Sequence, residues 1–259
     1  MTGVRPVLPP VTRVEPTFGF ARWKLEPRQV AAAAAVTAYA VALWMREAPG
    51  DRVLATLVVV EAAVLCLPWR LPRTRRSAAG FWAETLAGLI SPVGAAITAV
   101  ILKVPWLAAG STWPWYLVGA LLGIVLLAVG GVRVGAVLSG EIAFAFGPTR
   151  RAHARARAFS IMAGPPGEEA LFRGPALLAP HPASFGLLAA TAFIARHYVQ
   201  PGTNGRGSPR GMVVEVLAAA SLLALVICCG SVYPALVAHL INNLPGCVVE
   251  LQREEPYPS

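Results

Sequence analysis

Gly164-Pro-Pro-Gly-Glu-Glu-Ala-Leu-Phe-Arg-Gly174 sets two adjacent carboxylates and an arginine inside an otherwise apolar run. Hydrocarbon cannot solvate charge, so ionisable groups at membrane depth face a bundle interior or a wet cavity and mark function. The surrounding chain puts this stretch in such a setting. Of the 259 residues, 56% are hydrophobic and only 14% charged, and the mean hydropathy is +0.61, far more apolar than an average soluble domain. An integral membrane protein is expected, because the apolar runs leave no segment large enough for a separate soluble core.

Runs near the roughly 20 residues that a helix needs to cross a bilayer fall at about 29–45, 53–69, 86–108, 115–132, 159–178, 183–199, 212–228 and 231–251. They predict an all-α, polytopic membrane bundle of about eight transmembrane helices. Residues 29–251 would form this domain, after a basic, Pro-rich tail (1–28) and before a short C-terminal tail (252–259). Positively charged short loops stay cytoplasmic. The N-terminal tail with Arg5, Arg13, Arg22, Lys24 and Arg28, the Arg70 to Arg76 loop, the Arg150 to Arg157 loop and the Arg206 to Arg210 loop alternate with connections of little net charge. Both termini are therefore expected in the cytoplasm. Trp106, Trp113 and Trp115 flank one connection, as an interfacial belt would.

The net charge of +9 follows from that loop pattern. With no aromatic-interleaved basic patch and no nucleic-acid motif, no nucleic-acid partner is expected. Cys66, Cys228, Cys229 and Cys247 lack CxxC spacing and read as small core residues. A signal peptide would need a small-residue cleavage site after the first apolar run, and none is evident.

Three constellations carry chemistry. Glu168 and Glu169 project about 100° apart on a helix and cannot face the same way. Glu169 and Arg173, four apart with the acid first, suit an intrahelical ion pair, which leaves Glu168 without a local partner. Pro165 and Pro166 fit the first turn of a helix and would place both acids near its positive end. Phe193 and His197 share a helical face, and Arg196 beside the histidine suggests a snorkelling position near the headgroups. His239 and Asn243 lie one turn apart in the last run. The ordinary alternatives are a structural ion-pair cluster for the acids and interhelical hydrogen bonds for His239 and Asn243. At 1.5 Å per residue, Glu168 lies roughly 15 Å beyond the Arg157 loop and His239 a similar distance before Arg253, so the two can meet, with His197 nearer the surface. His153, in a basic loop, and His181, in a Pro-flanked connection, read as solvated.

Glu-Glu-x-x-x-Arg at Glu168, Glu169 and Arg173, Phe-x-x-x-His at Phe193 and His197, and His-x-x-x-Asn at His239 and Asn243 occur in that order. In this the chain resembles the CAAX prenyl protease and bacteriocin-processing family of intramembrane proteases, known as CPBP or Abi. Phe172, Gly174 and the Ser231-Val-Tyr-Pro-Ala run are also similar, and the resemblance covers about residues 160–250. It implies an eight-helix-type bundle with a membrane-embedded active site and endopeptidase activity on a membrane-tethered peptide or protein tail. On this resemblance Glu168 would be the general base, helped by His197; His239 and Asn243 would donate to the oxyanion; Glu169 and Arg173 would orient the site. A metal-independent glutamate mechanism, with no cofactor, is the favoured expectation. The competing one is a zinc site with Glu168, His197 and His239 as ligands.

Two other classes stay open in the sequence. One is a non-catalytic membrane scaffold or bacteriocin immunity protein of the same fold. The other is an ion-coupled transporter, motivated by Glu61 in the second run and Glu215 near the start of the seventh. Glu61 could instead pair with an arginine of another helix. The Ala, Gly and Arg-rich composition points to a multi-pass protein of a bacterial inner membrane, and nothing in it sets an oligomeric state.

Overall fold

A computed structural model describes residues 27–47, 50–66, 78–108, 110–199 and 209–254. The arginines of the N-terminal tail before Pro27, the Arg70 to Arg76 loop, Arg206 and the last five residues lie outside the described residues. Within them the secondary structure is helical, with one isolated bridge between Thr149 and Glu254.

Eight long helices correspond to the eight apolar runs: α1 (Pro27–Trp44), α2 (Asp51–Cys66), α3 (Ala78–Ile101), α5 (Trp113–Val129), α8 (Arg151–Phe172), α10 (Pro182–Val199), α11 (Pro209–Cys229) and α12 (Tyr233–Gln252). Four short ones fill the connections: α4 (Pro105–Ala108), α6 (Val134–Leu138), α7 (Glu141–Phe146) and α9 (Gly174–Leu177). By length and composition Ala78–Ile101 and Gly211–Cys229 can each cross a membrane, and Trp113–Val129 is apolar but shorter. Large apolar side chains face outward on all three, among them Ile97, Val100, Leu117, Leu121, Ile124, Val213 and Leu217. Exposed apolar surface on this scale marks contact with a membrane or a partner.

The larger of two buried clusters among the described residues draws Val36, Tyr39 and Leu43 from α1, Leu54 and Val58 from α2, Leu171 and Phe172 from α8, Ala189 and Phe193 from α10, Val226 from α11 and Ala238 from α12. Tyr39 ties α1 to the end of α8. Its hydroxyl donates to the Leu171 carbonyl at 2.6 Å, and its ring stacks on Phe172.

Small residues let the helices that carry the charges approach closely. Gly167 of α8 lies against the Pro92 carbonyl of α3, leaving no room for a Cβ. Gly119 and Gly123, one turn apart on α5, do the same against the backbone of Pro234 and Ala238 on α12. This is the small-xxx-small packing by which membrane helices bring their backbones together, and it presses α12 into place on one side.

On the other side α12 runs antiparallel to α8. Glu254 pairs with Arg151 at 2.6 Å and Arg155 at 3.1 Å, and Glu250 with Arg157 at 2.8 Å. These pairs account for two corrections. The stretch from Arg151 to Arg157, expected as a loop, is the first part of α8, because its arginines find their counter-charges at the end of α12 and just beyond it. Pro165 and Pro166, expected in a first turn, consequently lie deep inside α8, and Glu168 and Glu169 fall near its C-terminal end. The helix dipole there is negative and does not stabilise them. His153, expected in solvent, is in the first turn of α8 and stacks on Phe81 with ring centroids 4.6 Å apart.

The Gly167 contact allows a direct check. Gly167→Ala should destabilise the protein by about 1–3 kcal/mol through overpacking against Pro92, read as a lower melting temperature in detergent. Gly88→Ala, on the same α3 but with open space around its Cα, should not lower it.

Candidate active site

The end of α8 carries both acids into the bundle. Glu169 is 1% exposed; its Oε1 accepts from Arg173 Nη1 at 2.7 Å and from His239 Nδ1 at 2.8 Å. The Arg173 guanidinium lies over the Phe193 ring, 4.6 Å from its centroid. Glu169 therefore joins its own helix to α12, a link beyond the intrahelical pair that its spacing suggests.

Glu168 has a partner that the sequence reading assigned elsewhere. Arg196 of α10 is buried, and its Nη1 donates to Glu168 Oε1 at 2.7 Å. Its Nε donates to Glu61 of α2. Arg196 does not snorkel: two buried carboxylates hold its guanidinium inside the bundle, and Glu61 has its arginine. The sequence signal was present in Glu61, an acid in an apolar run that required a cation from another helix.

His197 and His239 approach the same carboxylate from two other helices. His197 Nε2 is 3.9 Å from Glu168 Oε1, and His239 Nε2 is 3.6 Å from Glu168 Oε2. His197 is therefore at the level of Glu168 and not nearer the surface, as its place toward the end of α10 suggested.

Each histidine is oriented through its other nitrogen. His197 Nδ1 lies 2.9 Å from the Phe193 carbonyl, one turn back on α10. A carbonyl only accepts, so Nδ1 carries the hydrogen and Nε2 is the nitrogen presented to Glu168. The Glu169 carboxylate likewise holds a hydrogen on His239 Nδ1. The Phe193 ring packs between the two, 4.1 Å from the His197 ring and 6.2 Å from that of His239, centroid to centroid.

Asn243 is placed by the proline break in α8. Pro165 has no N–H, so the Ile161 carbonyl four residues back lacks its helical donor. Asn243 Nδ2 donates to that carbonyl at 3.1 Å. One amide hydrogen is used in this way, while the second is available for another acceptor.

Among the described residues, no group of three or more His, Cys, Asp or Glu is spaced to hold a metal ion. In the Glu168, His197 and His239 set the Arg196 cation takes Glu168 Oε1, and Oε2 is left facing His239. Beside His197, a pocket lined by Ile194, Tyr198, Met212 and Glu215 opens between α10 and α11.

Fold and site define a class: an apolar helical bundle with a buried carboxylate facing two histidines from separate helices. Residues 154–245 match the sequence model of the family described as type II CAAX prenyl endopeptidase Rce1-like. That span holds all three motifs, and the resemblance to CAAX-type proteases is borne out in it. No curated protein and no solved structure matches the chain.

The role of Asn243 as a backbone partner can be measured. Asn243→Ala should destabilise the protein by about 1 kcal/mol, as expected when a half-buried carbonyl loses its donor. In a Pro165→Ala background, where an N–H is restored to Ile161, the loss should shrink. Equal losses in both backgrounds, by detergent melting, would refute the coupling.

Proposed function

We propose that this protein is an intramembrane endopeptidase of about eight spans, with both termini cytoplasmic, that hydrolyses a peptide bond in a membrane-tethered peptide or protein tail. The observation that carries this reading is the meeting of Glu168 with the Nε2 atoms of His197 and His239, inside the segment that matches a protease family.

The geometry supports a division of labour. Arg196 occupies Glu168 Oε1, so Oε2, facing His239, is the oxygen that takes a proton from the attacking water. The water oxygen then bonds to the scissile carbonyl carbon. The resulting oxyanion is met by the second amide hydrogen of Asn243 and by Nε2–H of His239 in its imidazolium form, with Glu169 at Nδ1 as counter-ion. His197 orients the water. Collapse of the tetrahedral intermediate breaks the C–N bond, and Glu168 returns the proton to the departing amine.

A second reading has its own support: the acids are already paired with arginines, as in a structural cluster, which suits a scaffold or immunity protein. Kinetics separate the two. With a farnesylated, fluorescence-quenched C-a-a-X peptide as probe in detergent micelles, Glu168→Ala and His239→Ala should each lower kcat by about 10²-fold or more while the protein still accumulates in the membrane. Full turnover by either variant would overturn the assigned chemistry.

A chelator supplies a further prediction. Prolonged treatment with 1,10-phenanthroline should leave turnover unchanged. A loss that added zinc restores would move Glu168, His197 and His239 to a metal-ligand role.

A further inference from the structure

Arg196 and Glu61 stand outside the three motifs, yet Arg196 makes the shortest contact to the carboxylate at the centre of the site, and Glu61 holds Arg196 from behind. Both are almost fully buried, 3% and 4% exposed. The guanidinium is a planar fork with five N–H donors in fixed directions. Here it is shared, Nε to Glu61 Oε1 on α2 and Nη1 to Glu168 Oε1 on α8. Three helices are thereby joined through one cation.

Sharing has a consequence for Glu168. Arg196 engages one oxygen only, and the other is turned to His239 Nε2 at 3.6 Å. A guanidinium released from Glu61 would be able to grip both oxygens of Glu168 in the bidentate manner that arginine and carboxylate favour. Oε2 would then be covered.

We propose that Arg196, restrained by Glu61, is a positioning residue that fixes the Glu168 carboxylate and keeps Oε2 uncovered as its reacting oxygen. This rests on the endopeptidase reading above. It assigns a part in the site to α2, which supplies no motif residue and lies outside the family match. Lysine cannot replace the arginine, because a point charge does not hold two carboxylates in a fixed relative orientation.

The test uses purified full-length protein and the same farnesylated C-a-a-X peptide. Variants are Arg196→Gln, Arg196→Lys, Glu61→Gln and the Glu61→Gln/Arg196→Gln double, with Glu168→Ala as the inactive reference. Misplacing a reacting group by about 1 Å can lower a rate about 10²-fold. Arg196→Gln should therefore lower kcat, counted per folded protein eluting as a monodisperse peak in detergent, by about 10- to 100-fold with KM changed less than about twofold. Arg196→Lys should recover only part of the loss. Glu61→Gln should lower kcat in the wild-type background and have no further effect once Arg196 is glutamine.

Wild-type kcat in Arg196→Gln, with Glu168→Ala inactive, would overturn the positioning role while leaving the endopeptidase reading intact. So would effects of Glu61→Gln and Arg196→Gln that simply multiply. Equal turnover by wild type and Glu168→Ala would instead overturn the endopeptidase reading, and with it the role of Arg196 in catalysis. Melting of wild type, Glu61→Gln, Arg196→Gln and the double variant tests the pairing without substrate: the shift from Glu61→Gln should change when Arg196 is absent, and identical shifts in both backgrounds would refute the triad.

Discussion

Buried charge must be neutralised within the bundle, and that requirement organises the protein. Removing carboxylates and guanidinium groups from water costs several kcal/mol per ion. The arrangement is sustained only where counter-charges and hydrogen bonds are packed around each one. Here Glu61, Glu168 and Glu169 face Arg173 and Arg196. Two cations meet three acids, Arg196 shared by Glu61 and Glu168 and Arg173 paired with Glu169, and the histidines add contacts to the last two. His239, with Nδ1 on Glu169 and Nε2 toward Glu168, is the bridge between them.

Satisfying those charges dictates the backbone geometry. Glu168 and His239 have to arrive at the same depth from antiparallel helices. The half-buried ion pair of Arg157 with Glu250 sets that register, since eleven residues separate each of them from its partner in the site, roughly 16 Å of helix. Glycines at the α3–α8 and α5–α12 contacts bring the helices near enough for side chains to bond across them.

The proline pair illustrates how one local break is absorbed. A proline inside a helix costs about 3 kcal/mol or more where nothing compensates. Part of that is a carbonyl left without a donor, and Asn243 fills that gap for Ile161. The same side chain retains a hydrogen for the reaction proposed above, so backbone repair and chemistry meet in one amide.

Much of this was legible in the sequence. Apolar runs separated by basic and Pro-rich stretches identified the helices, because burial of apolar area acts on composition and spacing along the chain. The i,i+4 relation of Glu169 to Arg173 and of Phe193 to His197 was legible for the same reason, as helical geometry is local. The start of α8 was not. Arg151 to Arg157 became helix through acids about one hundred residues later, at the end of α12 and just beyond it, and the prolines moved to the helix interior as a result. Nor could the sequence match Glu61 to Arg196, since ion pairs across helices depend on which faces meet. Local periodicity determined the elements and the residues able to do chemistry. The tertiary structure decided which cation holds Glu168 and which of its oxygens faces His239, because Coulomb attraction and hydrogen bonding act through space and select partners only once the helices have packed.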